Sequence, residues 1–236
     1  MLVAAGQPYF APFAGFFYRV WQADAFVVLD RVQFPRGATW VTRNRFKHDQ
    51  GVVWITVPVW RKHLGLQRVD RVRICNEIDW IAPQRRTLTH AYARAPYIAD
   101  HRPFLDEMLD SKWERVVDLN LEIMRYLMKA LGLDTTLYLQ SHLSSRTTGV
   151  NLLIDICREL DADSFLAQAS ARKHLDQAAF SAAGLALHEL QIPTFVYPQL
   201  WGDFIANLSV FDMLLNCGPK SRDIITGHRP RIRRVR

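Results

Sequence analysis

The chain is poor in cysteine. Its 236 residues hold only Cys75, Cys157 and Cys217, far apart and odd in number, with no CxxC pair. That pattern excludes a disulfide framework and a zinc knuckle, and it predicts reduced thiols. No run of about 18 apolar residues occurs, so no membrane span is expected. The opening MLVAAGQPYF has neither a basic n-region nor a long apolar stretch, so no secretory leader and a cytoplasmic location are expected. GxGxxG and GxxxxGK[ST] are missing, which removes the common nucleotide fingerprints. HExxH and GxSxG are missing too, and histidines 90, 142, 174 and 188 are scattered. Hence neither a structural metal nor an esterase-type triad is expected. There is no internal repeat.

What is present is ordinary globular composition, with 49% apolar and 22% charged residues. It suits a single α/β domain over residues 1–227, with a helical section at about 80–132 inside it. The formal charge of +7 is concentrated at one end. Residues 228–236 hold five arginines and no acid, leaving 25 basic against 23 acidic residues elsewhere. This end is expected to be a basic, flexible tail.

Periodicity supplies the elements. Residues 2–6 (LVAAG) read as a buried strand, 13–23 as a helix rich in aromatics and 25–30 (AFVVLD) as a second strand. Together they make a βαβ unit, hence a right-handed crossover and a parallel sheet. Residues 31–50 read as a polar, basic segment, 51–59 as a strand and 68–74 as a half-exposed strand. Helices follow at 80–94, 101–111 and 112–132, the last closed by Gly132. The α/β rhythm returns with strands at 136–140, 164–168 and 185–191. Helices are expected at 150–161, 173–183 and from Leu208 to Gly218. The expected fold is a mostly parallel, Rossmann-like sheet flanked by helices, with a central helical insertion.

In such sheets ligands bind beyond the carboxyl ends of the strands. Three loops qualify: Gln7 to Phe10, Asp30 with Gln33, and Ser141 to Thr148. The first enters a helix, whose free N–H groups suit an anion. In the third, Ser144 and Ser145 are placed either to bind phosphate or to cap the next helix. Arg43 and Arg45 are candidates for gripping a phosphate or carboxylate through paired N–H groups. Asp30, at a strand end, is a candidate base, Mg²⁺ ligand or sugar-hydroxyl acceptor, with structural capping as the alternative.

The segment QPYFAPFAGFFYRVWQADAFVVLDRVQF resembles the signature of the WbqC-like family, roughly QPYFFPYIGYFQLI, then an Asp, then FVIYDDVQF. The matches are Gln7, Pro8, Tyr9, Phe10, Pro12, Gly15, Asp24, Phe26, Asp30, Val32 and Gln33. Further matches follow in order: Trp40, Asn44 and Arg45; Val57-Pro58; Tyr92 with Ala95-Pro96-Tyr97; Asn120; Gly132; Ser144-Ser145; Tyr197 and Gln199; Leu208-Ser209; Asn216 and Gly218. Two departures stand out. Arg31 replaces an acidic residue. A glycine-rich segment is replaced by residues 167–176, in which Lys173, Leu175 and Asp176 persist.

The resemblance implies a role in O-antigen or other surface-polysaccharide synthesis. It suggests a transferase moving an acyl or aminoacyl group to an amino group, such as that of a nucleotide-linked amino sugar. Asp30 and Arg45 would be catalytic. Gln7, Tyr9, Gln33, Asn44, Tyr92, Ser144, Ser145, Lys173, Tyr197 and Gln199 would bind substrate. The implied cofactor is at most a nucleotide or nucleotide-activated donor, and the partner a small molecule. A homodimer is allowed, and nucleic acid is not the expected partner. The opening βα turn is also similar to the adenylate-binding half of HUP-type nucleotidyltransferases. Their His-x-Gly-His is absent, since Phe16 follows Gly15. A nucleotide-dependent ligase or nucleotidyltransferase is therefore one alternative. A non-enzymatic nucleic-acid binder using the arginine-rich end is the other.

Overall fold

A computed structural model of the chain describes residues 1–235. Its centre is a six-stranded sheet in the order β5-β2-β1-β6-β7-β8. The strands are β1 (Leu2–Gly6), β2 (Ala25–Val28), β5 (Thr136–Leu139), β6 (Ser164–Gln168), β7 (Ala186–Gln191) and β8 (Arg231–Arg234). The first five are parallel and β8 is antiparallel to β7. This is the expected α/β, Rossmann-like architecture. The order reverses at β1: its first crossover leads to β2, and the later one lands on β6. A crevice therefore opens between the carboxyl ends of β1 and β6.

Side chains alternate across each strand, and here both sets are apolar, as a sheet covered on both faces requires. Ala4, Phe26, Val28 and Leu166 face one core with Phe16, Phe17 and Val20 of α1 (Ala14–Trp21). That core also takes α4 (Val116–Ala130), α7 (Val210–Cys217) and α8 (Lys220–Thr226). Val3, Ala5, Ala25, Val27 and Phe165 face the other core. Leu152 and Ile156 of α5 (Gly149–Glu159) and Phe180 of α6 (Gln177–Ala182) cover it.

Between β2 and β5 lie a hairpin, β3 (Arg43–His48) with β4 (Gly51–Thr56), and the helices α2 (Ile81–Tyr92), α3 (Ile98–Asp110) and α4. The helical insertion is thus where periodicity puts it.

Four details differ from expectation. Residues 68–74 form a 3₁₀ turn, Val69–Arg71, rather than a strand. Val69, Val72 and Ile74 are buried as the alternation predicts, but their N–H groups bond to the carbonyls of Val32, Val69 and Glu114. The polar segment 31–50 contains strand β3, because Asn44, Phe46 and Lys47 turn inward. Helix α8 follows α7 directly. Finally, the arginine-rich end is not a solvated tail as far as Val235. Arg231–Arg234 pair with Gln191 to His188, and Ile232 packs on the core. Arg236 lies outside the described residues.

Candidate functional site

The loop after β1 is fixed by two buried asparagines. Asn44 Nδ2 donates to the carbonyls of Phe10 (3.0 Å) and Ala11 (2.7 Å). Asn120 Nδ2 donates to those of Pro8 (2.7 Å) and Val41 (2.8 Å). The Phe10 N–H adds a bond to the Trp40 carbonyl at 2.8 Å. A loop carrying two prolines has few N–H groups of its own, so its carbonyls need outside donors. Ala11 takes a positive φ of 42° within it. Gly15 then lets α1 start close to Ile192, since a Cβ there would collide with Ile192 and Phe13.

This loop forms one wall of a cleft of about 470 Å³ at the β1–β6 crevice. Its lining joins Tyr9 and Phe13 after β1, Gln168 and Ser170 after β6, and Ile192, Pro193 and Thr194 after β7. Trp40, Arg45 and Asn207 close it. None of these ten residues is Asp, Glu or His. A larger hollow of about 600 Å³ adjoins it, between Ile192–Thr194 and His228–Arg231. It sits beside the antiparallel edge rather than over the crevice, so the smaller cleft is the better candidate.

Arg45 gives the cleft its charge. One terminal nitrogen donates to the carbonyls of Ala206 (3.1 Å) and Asn207 (2.9 Å). Its Nε is sealed from solvent without an acceptor, and no carboxylate pairs with it among the described residues. A second cation, Arg19, lies outside the cleft lining but interacts with Tyr9. The Arg19 guanidinium sits over the rings of Phe26 (5.4 Å) and Phe16 (6.0 Å), beside Gly6. Burial lowers its pKa, and no acid partners it among the described residues. The cleft is therefore electropositive and undercompensated, an arrangement that attracts anions.

Behind Arg45 the same face of β3 presents Lys47, which is buried. Its Nζ donates to Gln199 Oε1 (3.1 Å) and the Asp203 carbonyl (2.6 Å). Nearby, Asp212 in the first turn of α7 accepts the hydroxyls of Tyr92 (2.7 Å) and Tyr197 (2.9 Å). Burial raises the pKa of Asp212, against the Tyr92 and Tyr197 hydrogen bonds and Lys47. Burial lowers that of Lys47, against Asp212 and Asp203. Both tyrosines are pushed up, by burial and by the Asp212 charge. This network fastens segment 197–209, which carries Asn207 into the cleft.

The residues singled out from sequence fall into three groups. Tyr9 and Arg45 line the cleft. Asn44, Tyr92, Tyr197 and Gln199 lie behind it and hold its walls. The rest lie outside the cleft lining. Gln7 is half-buried at the end of β1, and Gln33 is exposed and bridges to Arg68. Asp30 Oδ1 accepts the Ser141 N–H at 2.9 Å, while its Oδ2 accepts no hydrogen bond among the described residues. Ser144 bonds to Glu159 and Ser145 to Asp155, both on α5, and the Ser144 N–H bonds lower the Glu159 pKa. Lys173 is exposed in the 3₁₀ turn Ala169–His174 after β6.

Sequence reasoning passed over Lys47, Asp212, Trp40 as a cleft wall, Gln168, Ser170 and Thr194. The first two had a signal. RNRFKH alternates base with non-base, as a strand with one basic face does, and Asp212 interrupts the apolar VFDMLLNC.

Among the described residues no group of three or more His, Cys, Asp or Glu is placed to hold a metal ion. No helix there is long and apolar enough to cross a membrane.

Fold and crevice together define an α/β protein of Rossmann-like architecture with an electropositive cleft at its switch point. The chain belongs to the WbqC-like protein family, whose match spans residues 7–224. It is also 27% identical over 225 residues to the uncharacterized protein Rv1507c of Mycobacterium tuberculosis, covering 94% of this chain and 96% of that one. No solved structure matches it.

Proposed function

We propose that the chain is a transferase, which binds an activated, anionic donor in the β1–β6 cleft and passes an acyl or aminoacyl group to an amino group. The amino group of a nucleotide-linked amino sugar is the proposed acceptor, in surface-polysaccharide or related biosynthesis. The observation that carries this reading is Arg45, an incompletely satisfied guanidinium among neutral polar and aromatic walls at the switch point.

The chemistry suits such a lining. An amine lone pair attacks the activated carbonyl carbon. A C–N bond forms, the bond to the leaving group breaks, and the amine proton leaves with that group or to solvent. With an activated donor, holding the two reactants in contact supplies much of the acceleration. Arg45 would bind the donor's phosphate or carboxylate and favour charge on the departing side. Asp30, one strand away with one free carboxylate oxygen, is proposed to orient the acceptor amine, with Gln7 and Gln33 beside it on the rim.

The test is a thermal-shift screen of nucleotide sugars, ATP and acyl or aminoacyl donors, followed by mass spectrometry of donor–acceptor mixtures. A ligand at 100 times its Kd stabilises by about 2.7 kcal/mol, or roughly 5 °C or more in Tm. Stabilisation by a donor that Arg45→Ala abolishes is expected, with an acylated amino sugar as product. Stabilisation by ATP alone, with AMP or ADP released, would replace this reading by a ligase.

A further inference from the structure

Trp40 lines the cleft and Trp54 packs beside it, both partly open to solvent. Trp40 and Trp54 are each 41% exposed, with ring centroids 5.6 Å apart and planes inclined at 35°. Leaving indole rings this exposed forgoes burial that such large rings usually obtain. Both are flanked by guanidinium groups. Arg45 Cζ lies 5.9 Å from the Trp40 ring centre, and Arg43 Cζ lies 4.2 Å above Trp54. Trp54 faces Arg45 directly across the hairpin. The Trp40 backbone is tied to Phe10, so the platform is fixed relative to the cleft wall it forms.

A planar apolar surface beside an anion-seeking cation fits one ligand chemistry: an aromatic ring joined to a phosphate. Resting on the proposed function of this cleft, we infer that Trp40, backed by Trp54, is the stacking platform for the base of a nucleoside diphosphate unit. The phosphates of that unit meet Arg45. Trp40 is then the residue that distinguishes a nucleotide-carried substrate from one whose phosphate bears no base.

Isothermal titration with ADP, UDP and GDP, and separately with inorganic pyrophosphate, tests this. At least one nucleoside diphosphate is expected to bind about tenfold or more tightly than pyrophosphate, as stacking on one aromatic ring supplies. It should also quench tryptophan fluorescence. Trp40→Ala should erase the preference while pyrophosphate still binds, which also reports an intact fold. Trp40→Phe should restore most of it. If Trp40→Ala does not fold, the wild-type preference and its response to Trp40→Phe and Trp54→Ala decide. Pyrophosphate binding as tightly as all three nucleotides would overturn the platform and leave the anionic cleft standing. A preference that survives Trp40→Ala would overturn it equally. Binding of none of the four removes both readings. Nucleotide preference without acyl transfer keeps the platform and removes the transferase.

Discussion

Asn44 and Asn120 hold the same loop from two elements, β3 and α4, each giving both amide hydrogens to backbone carbonyls. Neither side chain reaches the cleft, yet both decide where Tyr9 stands. Asn44→Ala leaves two buried carbonyls without donors, so it should cost about 2–4 kcal/mol. Urea denaturation reads this as a lowered midpoint at unchanged m-value. Asn44→Asp should be no better, since it keeps the acceptor but loses the donors. A loss below about 0.5 kcal/mol would show that water replaces the amide and that the loop is held elsewhere.

Asp30 separates a structural role from a chemical one. Asp30→Asn retains an oxygen for the Ser141 N–H, so stability should fall by less than about 1 kcal/mol. If the carboxylate serves the acceptor amine, turnover should drop about 10²–10⁴-fold. Unchanged turnover in the folded variant removes Asp30 from the chemistry.

Gly218 is bound to its neighbour rather than to flexibility. It takes φ 52° and ψ −131°, and a Cβ there would enter the Tyr97 ring. Gly218→Ala should therefore cost about 2–4 kcal/mol, from backbone strain and overpacking. Combining it with Tyr97→Ala should cost less than the two single changes added, because the collision is removed while the strain remains.

Acid should weaken the fold near neutrality through His101. Its ring is buried, with Nδ1 2.7 Å from the Tyr126 hydroxyl. Burial lowers its pKa below the ordinary 6.5, against a smaller opposing pull from Asp100. Above about pH 6.5 both folded and unfolded rings are neutral. Below it the unfolded ring takes a proton first, so stability falls by at most about 1.4 kcal/mol per pH unit until the folded value is passed. His188, lowered by burial and by Arg234, acts in the same sense. His101→Gln should make the drop in urea midpoint from pH 7.5 to 5.5 smaller, and an unchanged drop would acquit this ring.

The carboxyl-terminal arginines give a separate check. Deleting residues 229–236 removes β8, bares β7 and uncovers the Ile232 contact. A loss of about 1–3 kcal/mol and more light scattering on heating are expected. A mobile tail would have left the midpoint unchanged.

Strands β1, β2, β5 and β6 were legible as short, mainly apolar runs between turn residues, whereas their order, and with it the switch point, depends on long-range pairing that periodicity does not reveal. The family blocks located the loop after β1. The distribution of roles was less legible. Asn44, Tyr92, Tyr197 and Gln199 belong to motifs, yet motif membership does not separate a residue that faces a ligand from one that bonds a wall. Ser144 and Ser145 have the composition of a phosphate loop, but carboxylates on α5 already occupy them. Strand β8 was hidden because four arginines in six residues read as solvated charge. At a sheet edge that composition is acceptable, since the backbone pairs on one side only and the side chains reach water.

Lys47 and Arg45, two residues apart on β3, both grip the segment that runs from Asp203 to Asn207. The hairpin and that segment are consequently joined by three side-chain to backbone hydrogen bonds. Arg45 is thus at once the cleft's cation and a clamp on its own wall, so replacing it removes a charge and a fastening together.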